Sequence, residues 1–306
     1  MDDRSLFKDL RFLIAATLML AFCIIVPVLR LQSDSQTATT LSDGASVLSA
    51  LIASIFFVGV WSSTSLRDSS GRIWGLIAIG MIEWTVAEAL WGYYEVVLGQ
   101  EVPYPSVADF FWLSGYVFIF IALLLQYRVF RAAPTRRQWL TILFVIVLFS
   151  VIGGLLVIQP IIAQFDPEAV LEDVFNIAYP LFDLILLILT MAIIFLVEQG
   201  RFGFSWRLLG LGFIVMAAAD LLFSYSTSIG IYFPDGQLNG ITLTIDTLYY
   251  LGYLMQGLGG YTYLLLIGSL QAGKMNIVVR QPAKENILVF INQQGNIISV
   301  SDNFSS

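Results

Sequence analysis

Eight long apolar runs, broken by short polar stretches, occupy most of the chain: Phe12–Leu29, Ala45–Trp61, Ile73–Leu98, Ala108–Phe130, Gln138–Ile158, Val174–Val197, Trp206–Tyr232 and Leu243–Ser269. A helix needs about 20 residues to cross the hydrocarbon core, and each run is of that order. Runs of this length exclude a membrane barrel, whose strands take roughly 9–11 residues of alternating polarity. Beyond the last run the pattern changes. Ile287-Leu288-Val289-Phe290-Ile291 and Ile297-Ile298-Ser299-Val300-Ser301 flank Asn292-Gln293-Gln294-Gly295-Asn296, which reads as strand, turn, strand. A lone hairpin is marginal in water, so the pattern predicts the opening of a soluble domain within which the chain stops. The expected fold class is an all-α polytopic membrane protein with eight transmembrane helices. Residues 1–270 form the membrane domain, 271–286 a linker and 287–306 the first β-hairpin of an α/β domain.

Composition agrees with the pattern. Apolar residues make up 58% of the chain and charged residues 12%, against roughly 45–50% and 25% in soluble domains. The fifteen Lys and Arg residues alternate between the two sides of the bilayer. One side receives Arg4, Lys8, Arg11, Arg67, Arg72, Arg128, Arg131, Arg136, Arg137, Arg201, Arg207, Lys274, Arg280 and Lys284, and the other receives only Arg30. By the positive-inside rule both termini are expected in the cytoplasm, and the alternation supports eight crossings. The net charge of −7 arises from acids read as outer-loop residues, Asp43 and Glu95 among them, and carries no nucleic-acid footprint. The basic, apolar N-terminus lacks a small-residue cleavage site and reads as a retained anchor. With one cysteine, Cys23, no internal disulfide is expected.

The third and fourth runs resemble the seventh and eighth. At an offset of 132, Trp74 matches Trp206, Gly80 Gly212, Glu88 Asp220, Trp91 Phe223 and Tyr93 Tyr225. After a five-residue loop insertion the offset is 137, and Asp109 matches Asp246, Trp112 Tyr249, Gly115 Gly252 and Tyr116 Tyr253. Acids and aromatics recurring in register predict two four-helix parallel repeats, about 1–133 and 134–270, related by an axis along the membrane normal.

Several acids fall inside these runs. Carboxylates at such depth cost at least ~2.5–3.5 kcal/mol, so they face the bundle interior, bind a proton or find partners. Helical spacing puts Trp84, Glu88, Trp91 and Glu95 on one face, and Met216, Asp220, Phe223 and Thr227 on its repeat. Asp109, Trp112 and Tyr116 form a comparable stripe, as do Asp246, Tyr249, Tyr253 and Gln256; Asn176, Tyr179 and Asp183 share a third face, and Glu83 is the most central acid. One reading is an outward-facing acid-and-aromatic pocket for a small ligand, an ion or a proton. Its candidates are Glu88, Asp220, Trp91, Phe223, Asp109, Asp246, Trp112, Tyr249, Tyr116, Tyr253, Glu83 and Asp183. The other reading is that the same groups tie helices together, with Asp109 and Asp246 in the first turns of theirs.

Absences narrow the chemistry. Without histidine, imidazole-ligated metal sites and the usual general base are not expected. Lys8, Lys274 and Lys284 lie outside the runs, which argues against a retinal Schiff base. No phosphate loop or clustered Asp motif is present, so no cofactor, metal or catalytic residue is assigned.

Pro103-Tyr104-Pro105-Ser106-Val107-Ala108-Asp109, followed by Phe110-Phe111-Trp112-Leu113-Ser114-Gly115-Tyr116, resembles a motif in the N-terminal membrane regions of bacterial signalling proteins. Those regions precede PAS, diguanylate cyclase or histidine kinase domains. Ile287 to Ser306, ending in Asp302-Asn303-Phe304, is similar to the start of a PAS domain. The resemblance implies a sensor in the bacterial inner membrane that relays a signal to a cytoplasmic PAS domain and an output enzyme, with a homodimer formed through the output region. Neither a phosphoacceptor histidine nor a Gly-Gly-Asp-Glu-Phe sequence is present. The connector contains Gly273 and Pro282 and lacks heptads, so no coiled-coil rod is expected. A transporter or channel-like protein is the competing expectation, which a parallel duplication with intramembrane acids also suits.

Overall fold

A computed structural model describes residues 9–65, 67–130, 134–163, 170–196, 201–271, 275–280, 287–292 and 297–302. Among the described residues eight long helices follow one another: α1 (Leu10–Leu31), α2 (Ser35–Ser62), α3 (Ser69–Gly92), α4 (Val107–Phe130), α5 (Arg136–Gly153), α6 (Val170–Leu196), α7 (Arg201–Ser228) and α8 (Gly240–Gln271). A π-helical turn at Tyr93–Val97 extends α3, and another at Gly154–Ile158 carries α5 on to Gln159–Ala163. Seven of the described helices are long and apolar enough to cross a membrane. The eighth, α8, has 32 residues and at ~1.5 Å per residue is about 48 Å long. Its hydropathy is diluted by five tyrosines, six glycines, Asp246 and Gln256. The protein is thus a multi-pass membrane protein in a lipid bilayer.

Local chemistry sets the helix starts. Asp34 Oδ1 accepts the Thr37 N–H at 2.8 Å to cap α2, and Asn239 Oδ1 accepts the Thr242 N–H at 2.9 Å to cap α8. Thr135 and Gln138 form a reciprocal capping box at α5. After α7 the chain leaves through Gly230, whose φ of 68° a side chain would disfavour.

Small residues set how closely the helices pack. A Cβ on Gly80 would lie 2.9 Å from the Gly115 carbonyl oxygen, and one on Gly212 would lie 2.8 Å from the Gly252 carbonyl oxygen. The α3–α4 and α7–α8 crossings are therefore backbone-to-backbone contacts made at matched glycines. Helix α2 packs against α3 and α8, and α6 bridges α4 and α7. Only 11% of the spanning stretch of α1 and 17% of that of α5 is buried, against 50% for α3. Those two helices form the rim, and exposed Leu13, Ile14, Leu18, Leu143, Phe144 and Val147 give them apolar outer faces suited to lipid.

Three expectations change. Helix α2 begins ten residues before the expected Ala45, because Ser42 and Asp43, read as loop residues, are buried against neighbouring helices. Asp246 is seven residues into α8 and not in its first turn, since the helix starts at Gly240. Within the stretch read as a connector, Met275–Arg280 is a strand, β1. It pairs antiparallel with β2 (Ile287–Asn292), which pairs antiparallel with β3 (Ile297–Asp302) across a bulge at Phe290/Ile291. The connection 293–296 lies outside the described residues. Three strands do not identify the domain to which they belong.

Candidate functional site

The alternation of helices gathers the interior acids toward one end of the bundle, the end of Arg30. Its floor is fully buried: Trp84, Tyr116 and Tyr253 are 1%, 4% and 0% exposed. Trp84 Nε1 donates to the Trp112 carbonyl at 2.9 Å, and its ring meets those of Tyr116 and Tyr253 edge-on at 5.0 and 6.1 Å. Above this floor Glu88, Asp220, Trp91, Trp112, Phe223 and Tyr249 are only half-buried. They line a crevice bounded by α3, α4, α7 and α8. Its aromatic wall is continuous: Trp91 meets Trp112 at 5.7 Å and Phe223 at 6.4 Å, and Phe223 meets Tyr232 at 4.9 Å and Tyr249 at 6.5 Å.

The hydrogen bonds are reciprocal. Tyr253 of α8 donates to Glu88 Oε1 of α3 at 2.7 Å, while Tyr116 of α4 approaches Asp220 Oδ2 of α7 at 3.1 Å. Tyr116 and Tyr253 are matched positions, as are Glu88 and Asp220. Asp220 has a second donor from its adjacent helix, Tyr249, at 2.7 Å, and the Trp112 side chain lies beside Glu88 at the matched position. Trp112 and Tyr249 are matched too. Further toward the other end Trp74 stacks on its own counterpart Trp206 at 4.8 Å. Matched residues thus meet each other along a line between α3 and α7.

Asp183 of α6 joins the site from one side only. Its Oδ1 lies 2.6 Å from the Tyr116 hydroxyl. Asp109 and Asp246 sit apart from the crevice acids, Asp109 at the start of its helix and Asp246 two turns into its own. Asp109 accepts from Tyr179 at 2.7 Å and from the Ser106 backbone N–H at 2.6 Å, which fixes the entry to α4. Asp246 accepts from Arg30 Nη1 at 2.6 Å, Tyr232 at 2.8 Å and Ser42 at 3.1 Å. Glu83 is turned away and accepts from Ser114 at 3.0 Å. Five residues separate it from Glu88, about 140° around a helix at 3.6 residues per turn.

Arg30, Ser42, Asp43, Tyr232 and Tyr250 also pack at this end of the bundle, outside the stripes that helical spacing picks out. Arg30 is 2% exposed; besides Asp246 it donates to the Ala38 carbonyl at 3.0 Å and to Tyr250 at 3.2 Å. Its signal was in the charge pattern, as the single basic residue on its side. Asp43 is buried beside Glu95 and Gly92. Among the described residues no group of three or more His, Cys, Asp or Glu is arranged to hold a metal ion. The chain matches no protein-family model, no curated protein and no solved structure.

Proposed function

We propose that the bundle is the sensory and anchoring module of a signal-transduction protein, built from two parallel four-helix repeats that meet at the acid-and-aromatic crevice. One observation carries this reading: the crossed pair Tyr253–Glu88 and Tyr116–Asp220, in which each half supplies the hydroxyl held by the other half's acid. The matched glycine crossings and the Trp74–Trp206 stack support an axis between α3 and α7. A ligand cation or proton that changes either carboxylate changes a bond between the halves. In this reading the distribution of Lys and Arg keeps both termini in the cytoplasm of a bacterial cell, with the crevice facing out. Helix α8, which carries Tyr249 and Tyr253, then leads to β1–β3 as part of a cytoplasmic PAS-like domain and onward to a kinase or cyclase that works as a homodimer. The π-helical turns at Tyr93–Val97 and Gly154–Ile158 fall at unmatched positions, which favours a sensor over a transporter with paired broken helices.

The test uses vesicles holding the chain with Cys23→Ser and a fluorophore on Ser301→Cys. A change of pH or of candidate organic cations on the crevice side should alter the fluorescence, and Glu88→Gln with Asp220→Asn should abolish the response. Cation uptake into the vesicles with no change at the fluorophore would replace this reading with the transporter.

A further inference from the structure

The two crossed hydrogen bonds look equivalent, yet their proton counts differ. At the first, Tyr253 offers one hydroxyl hydrogen to one acid, Glu88, at 2.7 Å. At the second, the single hydrogen of Tyr116 faces two acids, Asp183 Oδ1 at 2.6 Å and Asp220 Oδ2 at 3.1 Å. A phenol donates once, so with both carboxyls ionised one of these contacts sets two oxygens together with no hydrogen between them. The same conclusion follows from a different atom. Asp183 is 4% exposed, and its Oδ2 is buried with no donor to satisfy it. That side chain faces the carboxyl of Asp220. A buried acceptor without a donor is costly, and two unneutralised charges sharing one dry site cost more. One added proton removes the charge clash and, held between Asp183 Oδ2 and the Asp220 carboxyl, supplies the hydrogen that the orphaned oxygen lacks.

The groups facing the pair offer no alternative neutralisation. Tyr116 reaches it from α4, Tyr249 from α8 and Glu88 from α3, while Tyr179 lies beside Tyr116 on the α6 side. Asp109 accepts from that same Tyr179. Helix α5, packed on α6, has no titratable residue from Gln138 to Ala163. Arg30 is the base at this end of the bundle, and it is bound to Asp246.

We infer that Asp183 and Asp220 form a proton-binding site in which two carboxyl groups share one proton under the Tyr116 hydroxyl. The proton bridges α6 to α7, and Tyr116 of α4 gives its own hydrogen to one of the two acids. Release breaks an O–H bond, leaves a second carboxylate and delivers the proton to water through the crevice, which Asp220 borders and Asp183 does not. The matched site at Glu88 has its own donor in Tyr253 and no second acid on that hydroxyl, so no proton is shared there. This inference stands on proton counting at one site and does not require that the bundle feed an output domain.

Infrared difference spectroscopy of the purified chain in nanodiscs, taken between neutral and strongly alkaline buffer, tests it. The wild type should lose protonated-carboxyl carbonyl absorption on alkalinisation, including a band from the Asp183–Asp220 pair. Asp183→Asn should remove that band, since its amide can itself donate to Asp220, and Glu88→Gln should leave it. Tyr116→Phe keeps both acids and should shift the band to higher frequency through loss of a hydrogen bond, which guards against an Asp183 variant that fails to fold. A band that survives Asp183→Asn in folded protein, disappears with Glu88→Gln or ignores Tyr116→Phe would overturn the assignment.

Discussion

Replacing Arg30 by Met should be among the most damaging single changes to the bundle, and the structure gives the size. The guanidinium is 2% exposed, its Nη1 lies 2.6 Å from Asp246 Oδ2 and its Nε donates to the Ala38 carbonyl at 3.0 Å. Met fills much of the same volume, so cavity cost is small and charge dominates. Removing one partner of a buried ion pair costs about 3–5 kcal/mol, because the other charge is left in a dry site. Tyr232 and Ser42 still donate to Asp246, which places Arg30→Met at the lower end, about 3 kcal/mol. Asp246→Asn should cost a similar amount by stranding Arg30. The double variant has no buried charge, so it should recover part of the sum, with a coupling of about 2 kcal/mol. Unfolding of the four proteins in mixed detergent micelles with increasing dodecyl sulfate measures the cycle. Additivity of the two single changes within about 0.5 kcal/mol would refute the claim that the pair acts as a unit.

Gly115→Ala puts a methyl group into the Trp84 ring and 2.9 Å from the Gly80 carbonyl. Trp84 is itself tied to Trp112, so the change should destabilise by about 1–3 kcal/mol in the same assay, and Gly252→Ala, which meets the more flexible Met216, should cost less. Tyr253→Phe leaves Glu88 without its cross-helix donor and should cost about 1–3 kcal/mol, while Tyr249→Phe should weaken the hold on Asp220 without touching Glu88. Asp34 is exposed, and its hydrogen bonds from Thr37 hold its carboxyl below the usual range. Its support for α2 is complete above the unfolded value and is lost as pH falls through the folded value, so Asp34→Asn should flatten the acid limb of a melting-temperature profile and leave neutral pH unchanged.

Sequence reasoning reached the contacts that repeat. Glycines at 80 and 115 matched glycines at 212 and 252, and both pairs are crossing points. Glu88, Asp220, Tyr116, Tyr249 and Tyr253 were chosen on helical faces, and hydrogen bonds join them. What escaped lies where one copy departs from the other. Arg30 is near a helix end, where charge counting treats it as a loop marker, and only tertiary packing brings it to Asp246, 216 positions away in sequence. Asp43 was hidden because the first turns of α2 are polar. Ser42, Ser49 and Ser54 are buried for their small size, which hydropathy does not reward. Glu83 misled through depth, since depth fixes position along the axis but not the direction a side chain takes around it.

The composition of α8 bears on how the protein is made. A helix with five tyrosines, six glycines, Asp246 and Gln256 gains less from lipid than its neighbours do. Its Asp246, Tyr249 and Tyr253 are bonded to α1, α2, α3 and α7, the very segments synthesised before it. It should therefore enter the bilayer alongside α7, as the second arm of a helical hairpin already met by its partners. Damage to the glycine crossing would then appear during biosynthesis, as molecules whose last helix stays outside the membrane and whose C-terminal strands are cut by proteases, before any loss of stability could be measured on the finished protein.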